Sequence, residues 1–296
     1  MASLRDIRRR IRSVKNIAQV TRAMQLVAAS KMRRAQEQVL ASRPYSAKAW
    51  EVLVHLSAQQ GVNHPLLTER PRQAIGLVLI TSDKGLAGAY NANIIRAASR
   101  FILDSNQPVK LVTVGRKGRD FMVRFGRDVV AEYTDLPDRP SVLDITPIAR
   151  TVIDDFLAGT FDEVYLAYTD FVNTLVQRPT LRRLLPIQPG VIESQVMAEY
   201  ISPESTMASG EYIYEPDVET ILDTVLARFT ELQIYQAVLE SLASEHSARM
   251  VSMRNATENA NELIGDLTLT YNRARQEAIT KEMLDIAGGA EALAQG

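Results

Sequence analysis

The sequence predicts two long terminal helices that pair as an antiparallel, left-handed coiled coil, with an α/β (Rossmann-like) domain inserted between them. Three observations carry this. From Pro216 to about Ala287, roughly seventy residues pass with no further proline and with Gly265 as the one glycine. Apolar or small side chains recur there at alternating three- and four-residue steps: Leu222, Val225, Phe229 and Leu232, then Met250, Met253, Thr257, Ala260, Ile264, Leu267, Tyr271, Ala274 and Ala278. A repeat of about 3.5 residues keeps one seam facing a partner helix only if the pair supercoils left-handedly. The N-terminal segment carries a matching seam, and the middle of the chain changes to short β-branched runs.

The first helix starts at Ser3, which with Asp6 forms a capping-box-like pair. Leu4, Ile7, Ile11, Val14, Ala18, Thr21, Ala28, Met32, Ala35 and Val39 mark its seam, with Gln25 polar within it. A second apolar line, Ile17, Val20, Met24 and Val27, lies on another side, which a simple two-stranded pair does not need. A second set of partners explains it. This helix is expected to reach about Ser57, with a break or bend near Pro44.

From about Gly76 the texture becomes α/β. Ile75–Thr81, Val109–Val114 and Val164–Thr169 read as strands, alternating with helix-like Ala92–Leu103, Lys117–Phe125 and Thr146–Leu157. That alternation predicts a largely parallel sheet. Phe171–Leu185, interrupted by Pro179, reads as extended, and 202–216 as a linker. The expected organisation is an N-terminal helix over 1–60, an α/β domain with linkers over 61–215, and a C-terminal helix over 216–296. Both helices join the same small domain, so they must run antiparallel away from it. A helix of seventy residues is on the order of 100 Å long. It must wrap another helix or be sheathed by other chains. The C-terminal helix outruns its partner by about fifteen residues, roughly 20 Å. Its last turns still carry Leu269, Tyr271, Ile279, Met283, Leu284 and Ile286, an apolar tip that predicts an interface.

The formal net charge of −1 conceals an asymmetry. Residues 1–43 hold eleven Lys/Arg against Asp6 and Glu37, whereas 216–290 hold twelve acidic residues against six basic ones. Opposite balances favour pairing of the two helices. The chain has no cysteine, which excludes disulfides, thiolate nucleophiles and cysteine zinc sites. Three scattered histidines argue against a histidine metal cluster. No apolar run reaches the length that spans a bilayer, and no signal-peptide pattern opens the sequence, so a soluble chain is expected.

No motif supplies a catalytic centre. The phosphate-binding G-x-x-x-x-G-K-[ST] and G-x-G-x-x-G patterns and the G-x-S-x-G elbow do not occur. Ser82-Asp83-Lys84-Gly85-Leu86-Ala87-Gly88-Ala89-Tyr90-Asn91 is a strand-to-helix turn whose amides could hold an anion, but such turns are common in α/β domains. Arg5, Arg8, Arg9, Arg10, Arg12 and Lys15 lack interleaved aromatics and share a helix already committed to packing, which argues against a nucleic-acid surface. Asp154-Asp155 and Asp162-Glu163 sit at element ends and read as caps or solvated charges; Glu245-His246 lacks the second histidine of a metal helix. From the residues alone, a free-standing coiled-coil adaptor or nucleic-acid-binding protein is the alternative to a shaft.

The segments Ile11-Arg12-Ser13-Val14-Lys15-Asn16-Ile17, Val20-Thr21-Arg22-Ala23-Met24 and Val27-Ala28-Ala29-Ser30-Lys31-Met32-Arg33-Arg34 closely resemble the N-terminal helix of the gamma subunits of F-type ATP synthases. Ile279-Thr280-Lys281-Glu282, Asp285, Gly289-Ala290 and Ala292 resemble the C-terminal signature of that family. Ser82–Leu86 and Tyr212-Ile213-Tyr214-Glu215-Pro216-Asp217 match further blocks, and the resemblance runs from end to end. Ala87-Gly88-Ala89 departs from the family's usual Cys-Gly-Gly, and the cysteine-bearing insertion of the light-regulated chloroplast form is missing.

The resemblance implies a central shaft inside a ring of three alpha and three beta subunits, with the α/β domain outside the ring, touching the epsilon subunit and the membrane-embedded c ring. It implies a non-catalytic subunit with no cofactor or metal of its own, no nucleic-acid partner, and contact with the membrane only through the c ring. A peripheral place on the cytoplasmic face of a bacterial plasma membrane follows. Matched position by position, Arg275, Gln276 and Thr280 resemble upper-shaft groups that hydrogen-bond a beta subunit. Met24 and Arg249 resemble positions meeting the lower catalytic ring, and Tyr212 and Glu215 the foot on the c ring.

Overall fold

The computed structural model describes residues 3–57, 64–188 and 218–294. The chain comprises two compact units, one formed by Met1–Val27 with Met250–Gly296, the other by Ala28–Arg249.

Helix α1 (Leu4–Ser57) begins as its first residues dictate. The Asp6 amide donates to Ser3 Oγ at 3.2 Å, and the Ser3 hydroxyl donates to Asp6 Oδ2 at 2.7 Å. That hydroxyl holds the Asp6 carboxyl below the usual carboxylate range, and a negative charge suits a helix N-terminus. The expected break at Pro44 does not occur, because α1 runs through it. An internal proline costs about 3 kcal/mol. Val39 before it and Trp50, Leu53 and Leu56 after it are all buried in one core. Each large apolar side chain buried there contributes about 1.5–3 kcal/mol, so packing on both sides outweighs the lost hydrogen bond.

The larger unit is built on a five-stranded sheet. In chain order its elements are β1 (Ile75–Ile80), α2 (Tyr90–Asp104), β2 (Val109–Val114), α3 (Arg116–Arg124), β3 (Val129–Tyr133), α4 (Val142–Leu157), β4 (Glu163–Phe171) and β5 (Gln177–Leu185). The spatial order is β3-β2-β1-β4-β5. β1 pairs in parallel with β2 and β4, and β2 with β3, whereas β5 closes the edge antiparallel to β4. The sheet is therefore mixed.

β3 was not anticipated. It is a five-residue edge strand whose side chains alternate between half-buried and exposed, so it lacks the apolar run that marks β1. Pro179 is accommodated in β5 because an edge strand needs only one hydrogen-bonded side.

Alternating strand residues feed opposite layers. Leu77, Leu79 and Leu111 join Ile94, Ala98, Ile102 and Met122 of α2 and α3 on one face. Val78, Ile80, Val112, Val114, Val164 and Leu166 point the other way, toward α4, the end of α1 and the final helix, α5 (Val218–Ala294). That layer buries α5 almost all round between Phe229 and Ser247, and Trp50 stacks on Phe229 with ring centroids 5.4 Å apart. Three buried serines on this stretch find partners on the sheet side of the unit. Ser241 Oγ accepts from the Thr169 amide at 3.3 Å, Ser244 donates to Thr169 O at 3.1 Å, and Ser247 donates to Thr174 O at 2.7 Å. Gly115, at the turn from β2 into α3, has φ +99°, and a Cβ there would meet Thr81 O at 2.2 Å. Only glycine fits.

In the smaller unit α1 and α5 pair in opposite directions. Arg8 lies over the Tyr271 ring at 5.4 Å and bonds its hydroxyl, while Thr21 meets Thr257 at 2.7 Å. Leu4, Ile7, Ile11, Val14, Ala18 and Thr21 on α1 face inward, and so do Met253, Thr257, Ala260, Ile264, Leu267, Tyr271 and Ala274 on α5. Ala278, expected to continue this seam, is exposed, and among the described residues α1 begins at Leu4.

Candidate functional site: two exposed helical faces and a buried charge cluster

The smaller unit presents the two apolar surfaces that the sequence left unpartnered. On α1, Ile17, Val20 and Val27 are each more than half exposed, with Met24 half-buried beside them. On α5 every side chain from Arg275 to Ala287 is exposed. Ile279, Met283 and Ile286 share one face of that helix by their i, i+4, i+7 spacing and are 48%, 63% and 67% exposed. Arg275, Gln276 and Thr280 stand exposed on the same turns. The structure thus gathers Arg275, Gln276 and Thr280 on one helical end and places Met24 on α1. Tyr212 and Glu215 lie outside the described residues.

Arg249 belongs to the larger unit, and its surroundings were not legible as a cluster. Its side chain is 12% exposed. Nη2 donates to Glu245 Oε1 at 2.6 Å and to Gly85 O at 3.1 Å, Nη1 meets His246 Nδ1 at 3.2 Å, and Nε points at Gly85 O at 3.4 Å. The planar guanidinium thereby joins α5 to the turn after β1. Burial raises the Glu245 carboxyl, and Arg249 opposes that rise. An arginine can only donate, so His246 Nδ1 accepts and the ring proton sits on Nε2. Nε2 is buried with no hydrogen-bond partner among the described residues. Burial, followed by the charges of Arg249 and Lys31, brings the His246 pKa down to about 4.

Three further segments complete the cluster. Lys31 of α1 pairs with Asp138 at 2.6 Å, which holds the Asp138 carboxyl low. Asp83 accepts from the Arg116 amide and from the Asp135 amide, each at 3.0 Å, and Arg116 in turn pairs with the Asp135 carboxylate. All of these groups but Gly85 and Arg116 line a cavity of about 300 Å³. The arrangement is a tie: α1, the turn after β1, the loop after β3 and α5 are joined by charges already committed to one another. Asp138 carried no sequence signal, and Lys31 and Gly85 stood out only as parts of longer segments. The i, i+4 spacing of Glu245 and Arg249 was one.

In the turn over Ser82–Asn91, the polar groups at the entry to α2 are engaged within the turn. The Ser82 amide donates to Asn91 Oδ1, Asn91 Nδ2 donates to Ser82 Oγ, and Ser82 Oγ donates to Lys84 O. Ala89 has φ −85°, a conformation any residue adopts, so its departure from the family's glycine leaves the turn unstrained. Asp162 and Glu163 are buried instead of solvated. Asp162 Oδ2 receives the Gln73 and Ala74 amides, and Glu163 pairs with Arg72 at 2.8 Å. Among the described residues no group of three His, Cys, Asp or Glu is placed to hold a metal, and no helix is long and apolar enough to cross a membrane.

The family model for ATP synthase matches residues 3–293. The ATP synthase gamma chain of Dehalococcoides mccartyi strain CBDB1 is 52% identical, over 99% of this chain and all of that protein. The gamma chain of Roseiflexus castenholzii is 53% identical over the full length of both. This chain belongs to the ATP synthase gamma chain family. The fold agrees with solved members of ATP synthase assemblies. A chain of the OSCP/F1/c-ring structure of the Euglena gracilis mitochondrial ATP synthase superposes with TM-score 0.68 at 20% identity, covering 98% of this chain and 94% of that one. One from the central stalk and c ring of the Tetrahymena thermophila mitochondrial enzyme superposes with TM-score 0.61 at 24% identity, covering 80% and 99%. Family membership leaves the adaptor and nucleic-acid alternatives without support.

Proposed function

We propose that the chain is the central-stalk rotor subunit of an F-type ATP synthase. It couples ion-driven turning of a membrane c ring to conformational change at three catalytic beta subunits, and runs backward during ATP hydrolysis. The observation that carries this is the α5 tip: a helix that outlasts its partner and holds Ile279, Met283, Leu284 and Ile286 toward solvent needs a sheath. A ring of three alpha and three beta subunits is that sheath, and the apolar line at Ile17, Val20 and Val27 is a second face for it.

The seam spacing supports a left-handed coiled coil in the smaller unit, and the parallel strands of the larger unit support a Rossmann-like insert, with the segments 1–60, 61–215 and 216–296 as functional divisions. Met24, Arg275, Gln276 and Thr280 are assigned to ring contact. Arg249 serves that contact by holding the turn after β1 against α5. Tyr212 and Glu215 are assigned to the c-ring foot, beside epsilon. Phosphoryl transfer belongs to the beta subunits, and this chain contributes no cofactor, metal or nucleic-acid site. Its place is the cytoplasmic face of the plasma membrane, held through the c ring.

The mechanism is one of symmetry. A single shaft cannot show one face to three sites at once, so each beta subunit meets a different surface. A partner shifts a conformational equilibrium only by its differential affinity for the two states. Rotation moves that bias from site to site. The test is reconstitution: the chain should assemble at one copy per three alpha and three beta and restore their ATPase activity. A chain that stays a well-behaved free oligomer in their presence, or hydrolyses ATP alone, overturns the proposal.

A further inference from the structure

On the outer face of the larger unit, α2 and α3 flank an open groove of about 630 Å³ lined by Asn91, Ala92, Ile95, Arg96, Ser99, Lys117, Asp120, Phe121 and Arg124. Its floor is apolar. Ile95 and Phe121 both line it, and Phe121 stacks on Phe125 with ring centroids 4.5 Å apart. Phe125 is 61% exposed and extends the apolar strip by one turn.

The rim is cationic and uncompensated. Arg96 finds only an amide oxygen, Asn93 Oδ1 at 3.4 Å, and neither Lys117 nor Arg124 has an ion pair among the described residues. The one carboxylate on the rim, Asp120, is already taken by Arg119 at 2.8 Å. Three exposed cations over an apolar floor make a surface complementary to carboxylates flanking an apolar stripe. Between Ala92 and Ser99 the groove runs along α2 for about 10 Å, the length of two turns of an opposing helix.

We infer that this groove docks an acidic amphipathic helix of a partner protein, in the helix-in-groove mode: apolar anchors on Ile95 and Phe121, carboxylates toward Arg96, Lys117 and Arg124. The smaller unit takes no part in it, so the inference stands independently of how the α5 tip is sheathed.

The experiment places the photoreactive p-benzoyl-phenylalanine at Ala92, an exposed groove residue, in the full chain within the enzyme complex of its own cell. Irradiation is followed by mass spectrometry of the crosslinked peptide. The expected result is one crosslinked segment from a different protein, acidic and with apolar residues at i, i+3 or i+4. Lys117→Glu with Arg124→Glu should lower its yield about tenfold or more by setting like charges opposite one another. Circular dichroism matching the parent confirms that this double variant folds. No crosslink, a crosslink to a neutral or basic segment, a crosslink to a second copy of this chain, or a yield unmoved by the charge reversal each overturns the inference. An empty groove in a complex that still holds one copy of the chain would sink this inference alone and leave the rotor assignment standing.

Discussion

Thr21 and Thr257, 236 residues apart in sequence, bring their hydroxyl oxygens to 2.7 Å across the helix seam of the smaller unit. Each hydroxyl also lies within reach of its own helix: Thr21 of Ile17 O and Ala18 O, Thr257 of Met253 O. One proton therefore serves the cross-helix bond while the other returns to its own backbone. Replacing one threonine by valine removes the bond and leaves the other hydroxyl facing a methyl group, at a cost of about 1 kcal/mol. Thr21→Val with Thr257→Val removes both polar groups and should cost less than the sum of the singles. Denaturant titrations of the four proteins form the cycle, and strict additivity would show that the hydroxyls are not coupled.

In the larger unit Glu245 is buried and Arg249 is only 12% exposed at its side chain. Arg249→Ala leaves the Glu245 carboxylate without its cation and frees Gly85 O, and removal of one partner of a buried pair costs about 3–5 kcal/mol. Glu245→Gln added to Arg249→Ala should recover part of that loss, because a neutral amide needs no counter-charge. Arg249→Lys should not rescue, since an ammonium cannot span Glu245, His246 and Gly85 together. Thermal denaturation read through the Trp50 signal follows the larger unit.

His246 gives the larger unit a pH dependence of definite sign. Its folded pKa of about 4 lies below the ordinary value of 6.5, so the unfolded chain binds the proton more tightly. The stability contributed by the neutral ring is fully present above 6.5 and is lost as pH falls toward 4. The full loss corresponds to about 3 kcal/mol. Glu245, raised by burial, acts in the opposite sense, and its stabilisation is lost as pH rises. The charged groups that line the same cavity as His246 are Glu245 and Arg249 on α5, Lys31 on α1, Asp83 and Lys84 after β1, and Asp135 and Asp138 after β3. His246→Leu retains them all. Its unfolding free energy should therefore vary less between pH 7 and pH 5 than that of the parent, and an unchanged pH slope would contradict the assignment.

Pro44 sits exposed inside α1, where it forfeits a helical hydrogen bond and restricts nothing that helix formation does not already fix. Pro44→Ala should raise stability by about 1–3 kcal/mol, the part of the proline penalty that strain relief returns. Calorimetry of the full chain measures it. A drop in stability would mean that Pro44 shapes the packing of Val39 or Trp50.

Much of the architecture is legible in the sequence itself. The three-four spacing from Leu4 to Thr21 and from Met253 to Ala274 names the residues that face inward in the smaller unit, because a helix seam is a periodic, local property of the chain. The apolar runs at Ile75, Val109 and Val164 mark the central strands for the same reason. β3 escaped because an edge strand buries one side at most. The continuity of α1 through Pro44 escaped because a local penalty was outweighed by packing against α5 and the sheet.

By its periodicity, charge asymmetry and connectivity the sequence determined the helical pair, its antiparallel sense, the strand-helix alternation and the apolar tip. These are patterns written at fixed spacing along one strand of chain. The tertiary structure alone decided that Arg249 closes on Gly85 and Glu245, that Asp162 and Glu163 are buried, that His246 is held neutral, and that Arg96, Lys117 and Arg124 line one groove with no ion pair among the described residues. Each of these depends on residues far apart in sequence meeting at a few ångströms, where desolvation and Coulomb interaction set the energy.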